Sequence, residues 1–409
     1  MDLNKDISKI REDFYGLDYF YHFNAAGSGA TLKPVHQASK EWWKYRTTYS
    51  QVRTPINAKA EAAKLINASE NEICLIHRVC EGLNIIKDII NWSIGWNKGD
   101  NIVVTDLSYP SSVHTFLNLR KKGVEMRRIK NIGGEISLSD WEKAINENTK
   151  LVVINHTEWT SGFTHDLEKV CKVAHDNGAY VVDDDFQSLG AMKLDVKKPN
   201  LDFMVTGSFK WTCSTNGAGI FYIREDLIDE FEPMNSLYNN IVKPGDDLIA
   251  DYRLMIQPDH DNFETYDNPY VKSAQKFARS YIYLPTSMIN WEYSAALRYF
   301  NDLGDRYGWD NITKRIRKLG GYLIERLIEI GCKVNTPIEQ EKRHGLITYS
   351  TGSNQLNERS YNTLSKHTPR FVLVLRYTAC IGGIRVCTHF YNTEEEIDKL
   401  IDVQKKLMP

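Results

Sequence analysis

The sequence predicts an α/β fold, a mostly parallel sheet covered by helices, with a smaller α+β unit after it. Three observations carry this reading. Between residues 70 and 225, short β-branched runs alternate with amphipathic stretches. The runs are apolar at nearly every position, which suits strands covered on both faces by crossover helices. From about residue 291 the rhythm changes to long helices, then strands, then a last helix, as in a second and smaller layered unit.

In chain order the predicted strands are ICLI at 73–76, IVVTD at 102–106, LVVINH at 151–156, YVVDD at 180–184, FMVT at 203–206 and GIFYI at 219–223. Four stretches between them, EGLNIIKDIINW, VHTFLNLRKK, SLSDWEKAINEN and DLEKVCKVAHDNG, repeat apolar residues every three or four positions and read as helices. Ser137 or Ser139, followed by acidic residues, caps the third. Residues 225–290 lose the rhythm and cluster Asn, Asp, Pro and Tyr, which predicts long ordered loops around a pocket. The later unit runs through NITKRIRKLGGYLIERLIEIG, the strands GLITYS, FVLVLR and GIRVCTHF, and the helix EEEIDKLIDVQKKL.

Composition narrows the function. The 409 residues carry 51 Lys and Arg against 53 Asp and Glu, a formal charge of −2, so nothing global draws the chain to nucleic acid or an anionic membrane. A small polar ligand or a protein partner is expected instead. The basic run RKKGVEMRRIK at 120–130 has no interleaved aromatics and reads as a solvated face. Seven scattered cysteines form no disulfide framework and no C-x-x-C pattern, so they read as mostly buried, reduced thiols of a cytoplasmic protein. The first residues lack the apolar core of a signal peptide, and no stretch approaches the roughly 20 apolar residues that cross a bilayer. No G-x-G-x-x-G turn follows the first strand, which argues against a nicotinamide dehydrogenase.

In an open parallel sheet, ligands bind beyond the carboxyl ends of the strands. There stand Asp183-Asp184-Asp185-Phe186-Gln187 and, after FMVT, Gly207-Ser208-Phe209-Lys210-Trp211. A lysine and an aspartate at adjacent strand ends are what pyridoxal phosphate chemistry needs. The amine forms a Schiff base with the aldehyde, and the carboxylate keeps the ring nitrogen protonated so that the ring accepts electrons.

Further stretches join this pair in order along the chain: Phe23-Asn24-Ala25-Ala26-Gly27, Glu81-Gly82-Leu83-Asn84, His156-Thr157-Glu158-Trp159-Thr160-Ser161-Gly162, and Gly383-Ile384-Arg385-Val386 leading to Tyr391-Asn392-Thr393-Glu394. With them the chain resembles the class V aminotransferase family of fold-type-I pyridoxal phosphate enzymes. Within it, the isopenicillin N epimerase and cystine C–S lyase group is most similar, and cysteine desulfurases are related. The resemblance implies a homodimer, a large cofactor-binding α/β domain over 20–290, and a small α+β domain from 1–19 and 291–409. It also implies an enzyme that acts on an amino acid through an external aldimine, foremost a C–S lyase by β-elimination, with aminotransferase and epimerase as alternatives.

Carried over by residue, Lys210 is the Schiff-base lysine, Asp184 the partner of the ring nitrogen, Gln187 a donor to the phenolic oxygen and Tyr109 the ring stacked on the cofactor. Val79 and Cys80, opening a helix, and Ser208 would hold the phosphate, with Tyr281 contributed by a second subunit. Arg385, with Asn24 and Ala25, would bind the substrate carboxylate, and Arg376 is the reserve candidate. No metal is implied.

Two departures matter. The desulfurase motif Arg-x-Gly-x-His-Cys-Ala is absent, and Cys380, five residues before Arg385, has no basic neighbour and reads as structural. Phe209 stands where a desulfurase-type histidine would precede the lysine. An epimerase needs a second acid–base group opposite Lys210, for which Tyr and His residues in 238–281 are candidates.

Overall fold

The computed structural model describes residues 2–48, 56–234, 237, 240, 270–282 and 287–408. Thirteen strands form among them. After β1 (Phe20–His22) come the strands of one seven-stranded sheet: β2 (Ile73–Ile76), β3 (Asn101–Thr105), β4 (Glu125–Ile129), β5 (Thr149–Ile154), β6 (Tyr180–Asp184), β7 (Phe203–Gly207) and β8 (Gly219–Ile223). Its order is β2-β8-β7-β6-β5-β3-β4. The pairs from β7 to β4 are parallel, whereas β8 runs antiparallel to both β2 and β7. Six of these strands are the apolar runs read from the sequence.

Helices cover both faces for the reason the runs predicted. The helix Val79–Ser93 buries Val79, Leu83, Ile85, Ile86, Ile89 and Ile90 in one of two cores that share the sheet residues between them. The helix Leu138–Ala144 starts at Ser137, whose hydroxyl and Asp140 carboxylate cap each other's backbone N–H. VHTFLNLRKK departs from expectation. It is a short helix, Pro110–His114, then a 3₁₀ stretch over Leu117–Lys122 that ends at Gly123 with φ of 84°. The long loops expected in 225–290 fall largely outside the described residues.

Beyond the helices Met288–Tyr307 and Trp309–Glu329 lies a four-stranded antiparallel sheet, ordered β12-β13-β10-β9. Its members are β9 (Lys333–Val334), β10 (Leu346–Ser350), β12 (Val374–Thr378) and β13 (Ile381–Cys387). β11 (Arg370–Val372) pairs instead with β1, and Asn24 forms a bridge to Cys387, so the N-terminal segment is laid beside β13. The first helix, Leu3–Arg11, is tied to the same region, since Arg11 donates to the Tyr391 carbonyl and pairs with Glu396 at 2.8 Å. The helix Asn354–Ser365 was not legible in the sequence: its buried positions are Asn357, Ser360 and Leu364, two of them polar.

Candidate active site

A cavity of about 570 Å³ opens at the carboxyl ends of β6 and β7, and the residues expected to do chemistry converge there. Lys210 lies in the turn after β7 and is 9% exposed. Burial lowers its amine to about 7, against the pull of the neighbouring Asp184 carboxylate. The turn is held tightly: the Gly29 N–H donates to the Phe209 carbonyl at 2.8 Å, and a Cβ on Gly29 would stand 2.1 Å from the Lys210 carbonyl.

Strand alternation sorts the three aspartates. Asp184 faces the cavity, where its Oδ2 accepts the Ser112 hydroxyl at 2.6 Å. Burial raises its carboxyl, and the Ser112 bond opposes the rise. Asp183 and Asp185 turn to the other side, toward His156, and burial pushes both well above the usual carboxylate range. Of the three, Asp184 alone lines the cavity.

Two aromatic rings bracket the amine. The Lys210 nitrogen is 3.9 Å from the centroid of Phe186 and 5.5 Å from that of Tyr109. Tyr109 is 42% exposed and sits edge-on to Trp159 at 5.4 Å. Gln187 is buried. Its amide donates to the Ala26 carbonyl at 3.2 Å, and its oxygen accepts from the Trp211 indole at 3.0 Å, which leaves one amide hydrogen for a ligand. At the far side, Arg78, Val79 and Cys80 line the cavity at the start of the helix Val79–Ser93, where first-turn amides have no partner within the helix.

Other expected residues stand elsewhere. Ser208 does not line the cavity, because its hydroxyl donates to the Thr215 carbonyl and has no proton left for a phosphate. Tyr281 is 45% exposed and also lies outside the lining. Arg385, Asn24 and Ala25 are brought together by the bridge between Asn24 and Cys387, yet they do not line the cavity. Arg385 is 2% exposed and donates from Nη1 to the Trp159 carbonyl at 2.8 Å, while its Nε has no partner. Among the described residues no carboxylate pairs with it. Cys380 is exposed and not buried structure: Ala379 and Cys380, with φ of 47° and 66°, form the two-residue tip between β12 and β13. That is the type I′ hairpin geometry, without the Asn or Gly that usually announces it.

Sequence reasoning missed Ser112, Phe186 and Trp159 as site residues. Phe186 could have been read from its place between Asp184 and Gln187. Ser112 had no signal, because it reaches Asp184 from 72 residues away.

These residues fit pyridoxal phosphate. A buried amine that loses its proton near neutrality, a buried carboxyl, a free amide hydrogen, two flanking rings and a helix start supply one group for each part of that cofactor.

Comparison with known proteins points the same way. Residues 21–244 match the model of the family described as aminotransferase class-V. A probable cysteine desulfurase of Pyrococcus abyssi is 27% identical over 429 aligned positions, covering 100% of this chain and 97% of that protein. A probable cysteine desulfurase of Methanothermobacter thermautotrophicus is 31% identical over 244 positions, 57% of this chain and 58% of the relative's length. Among solved structures, an apo cysteine desulfurase from Thermococcus onnurineus NA1 superposes with a TM-score of 0.81 at 23% identity, over 100% of this chain and 98% of the other. The cystine C–S lyase C-DES, in complex with cysteine persulfide, gives 0.80 at 19% identity, over 97% and 100%. At those identities the superpositions establish the fold, that of fold-type-I pyridoxal phosphate enzymes. With more than half its length matched by the family model, the chain belongs to the aminotransferase class-V family of pyridoxal phosphate enzymes.

Proposed function

We propose that this protein is a lyase that cleaves the carbon–sulfur bond of a sulfur-bearing amino acid by β-elimination. The observation that carries the reading is the Lys210 amine, buried and lowered to about 7, in one cavity with Asp184 and Gln187. Bound pyridoxal phosphate supplies an electron sink for the pair left when a substrate loses its α-proton. Lys210 would hold the cofactor aldehyde, and an amine titrating near neutrality would take the substrate's α-proton at cellular pH. Asp184 would keep a proton at the ring nitrogen, Gln187 would donate to the phenolic oxygen, and Tyr109 would pack against the ring. Phe186 packs against the amine, which lies 3.9 Å from its ring centroid. The amides of Val79 and Cys80 would hold the phosphate. Arg385 is a buried cation without an anion, and with Asn24 and Ala25 it receives the substrate carboxylate.

The sulfur chemistry rests on the relatives named cysteine desulfurases and on the likeness to C-DES. A persulfide-carrying thiol is not part of the proposal, since Cys380 is fixed in a two-residue turn. We further propose a cytoplasmic homodimer whose large domain spans 20–290 and whose small domain combines 1–19 with 291–409. Tyr281, away from its own chain's cavity, is then free to reach a partner's. No helix among the described residues is long and apolar enough to cross a membrane. The Tyr and His candidates for an epimerase's second acid lie mostly outside the described residues.

The test is to incubate the purified holoenzyme with cystine, cysteine, cysteine conjugates and each other proteinogenic amino acid, and to assay pyruvate, ammonia and keto acids. Pyruvate and ammonia from a sulfur substrate, without an added keto acid, support the lyase. Keto acid formed only with an amino acceptor present makes it an aminotransferase, and inversion without ammonia makes it an epimerase.

A further inference from the structure

The side of β6 turned away from the cavity holds a second set of polar groups that the reaction does not use. Asp183 is hydrogen-bonded across the sheet next to Ile154, so residues just after β5 reach the end of β6. His156 is one of them. Its Nδ1 lies 3.3 Å from Oδ1 of Asp185 and 4.0 Å from Oδ2 of Asp183, and the three donor atoms fall within 4.8 Å of one another. The Asp carboxylates are 0% exposed and His156 is 7% exposed. The His156 backbone N–H donates to Oδ1 of Asp183 at 2.9 Å, which fixes that carboxylate with its second oxygen toward the imidazole.

Oδ2 of Asp183 has no hydrogen-bond partner, whereas the Asp185 carboxyl is also approached by the Ser188 hydroxyl and the Leu189 N–H. Among the described residues, no lysine or arginine forms an ion pair with either carboxylate. Two fully buried carboxyl groups thus converge on one imidazole, and one of their oxygens is unsatisfied. Two ligands of one zinc ion in tetrahedral geometry stand about 3.4 Å apart, given bonds of about 2.0–2.1 Å. The observed 3.3 Å separation matches that value, and the 4.0 Å one lies within the roughly 4.2 Å that two such bonds span. A neighbouring cavity of about 1200 Å³, which His156 lines together with His165 and Asp166, offers a route from solvent.

We propose that His156, Asp183 and Asp185 bind one divalent transition-metal cation of the zinc or manganese class. One imidazole with two carboxylates is the donor set such ions accept. The ion takes the unpartnered Oδ2 of Asp183 and Oδ1 of Asp185 with the imidazole, and joins the segment after β5 to the end of β6. The inference does not depend on which reaction the enzyme catalyses.

Holoenzyme freed of metal with a chelator is incubated with ZnCl₂ or MnCl₂, passed through a desalting column and measured by elemental mass spectrometry. About one equivalent of at least one of the two metals per chain is expected. In Asp183→Asn/Asp185→Asn, retained metal should fall at least about tenfold, while cofactor content, read by absorbance after alkaline release, stays unchanged. Less than about a tenth of an equivalent on the wild-type protein, or undiminished metal on the double variant, overturns the site. Should the variant not fold, X-ray absorption of the zinc-loaded wild type decides. One imidazole among otherwise oxygen ligands supports the assignment, and sulfur scattering or a second imidazole overturns it.

Discussion

Lys210 follows a strand of the seven-stranded sheet and Arg385 lies within the four-stranded one, and both cations are buried. Their surroundings differ. Lys210 has the Asp184 carboxylate and two aromatic faces nearby, whereas Arg385 has the Trp159 carbonyl and the Cys387 thiol but no carboxylate. Burial is answered in two ways. Burial lowers the amine to about 7, which suits the nucleophile and base proposed for it. The guanidinium is lowered by burial too, but a guanidinium starts so high that it keeps its charge, which suits the proposed role of receiving a substrate carboxylate. One sheet delivers a group that changes charge, the other a charge that stays fixed.

Replacing the first group has the largest expected effect. Lys210→Ala should lower turnover by roughly 10²–10⁴-fold, the range for loss of an acid–base group, and abolish borohydride-fixed cofactor at that position. Peptide mapping that finds the pyridoxyl group on another lysine would sink the assignment. Asp184→Ala should release cofactor about 10- to 100-fold more readily, as expected for a lost charged hydrogen bond, in equilibrium dialysis. Near wild-type retention would mean that Asp183 or Asp185 is the partner, against the alternation seen in β6.

Arg385→Lys keeps the charge and loses the planar fork. Apparent affinity for amino acids should drop by about one to two powers of ten, with cofactor binding unchanged, in titrations of the visible spectrum. An unaltered titration would move the carboxylate anchor to Arg376, whose side chain is exposed and whose Nη1 donates to the Leu375 carbonyl.

The contrast also predicts pH behaviour. Because the folded amine is lowered to about 7 from 10.5, the folded state gives up this proton before the unfolded state does. Stability of the cofactor-free protein from this group therefore rises between about pH 7 and 10.5 and is at its lowest below 7. The rate of cofactor uptake should climb about tenfold per pH unit below 7 and level off above it, in stopped-flow absorbance. A flat profile would deny Lys210 its neutral form. The smallest effect belongs to Cys380→Ser: less than about twofold in turnover, as for an exposed position away from the chemistry. Loss of activity there would make the protein a thiol-dependent sulfur carrier and not a simple lyase.

The sequence was most legible where physics is local. Runs such as ICLI and GIFYI, apolar on every residue, announce strands covered on both faces, and all six predicted runs are strands. Lys210 and Asp184 were legible because both follow such runs. The rest depended on long-range folding. Ser208 was expected to serve a ligand, but its hydroxyl is spent on a carbonyl seven residues on. The helix Asn354–Ser365 hides behind polar buried residues, and the tip at Ala379-Cys380 carries none of the residues that normally mark such a turn.

The place of β8 bears on the order in which the protein can assemble. β2, at the margin of its sheet, is hydrogen-bonded to β8, and β8 in turn to β7. The residues that would cradle the phosphate, at the start of the helix after β2, are thus joined to the lysine's strand through a segment more than 140 residues later, as with Ile73 and Tyr222. During synthesis, the strand that leads to Val79 and Cys80 waits for Gly219–Ile223 to emerge before it gains its partner. Such late, distant pairing is slow and leaves an edge unpaired meanwhile, so nascent chains halted before residue 219 should be the ones that engage chaperones.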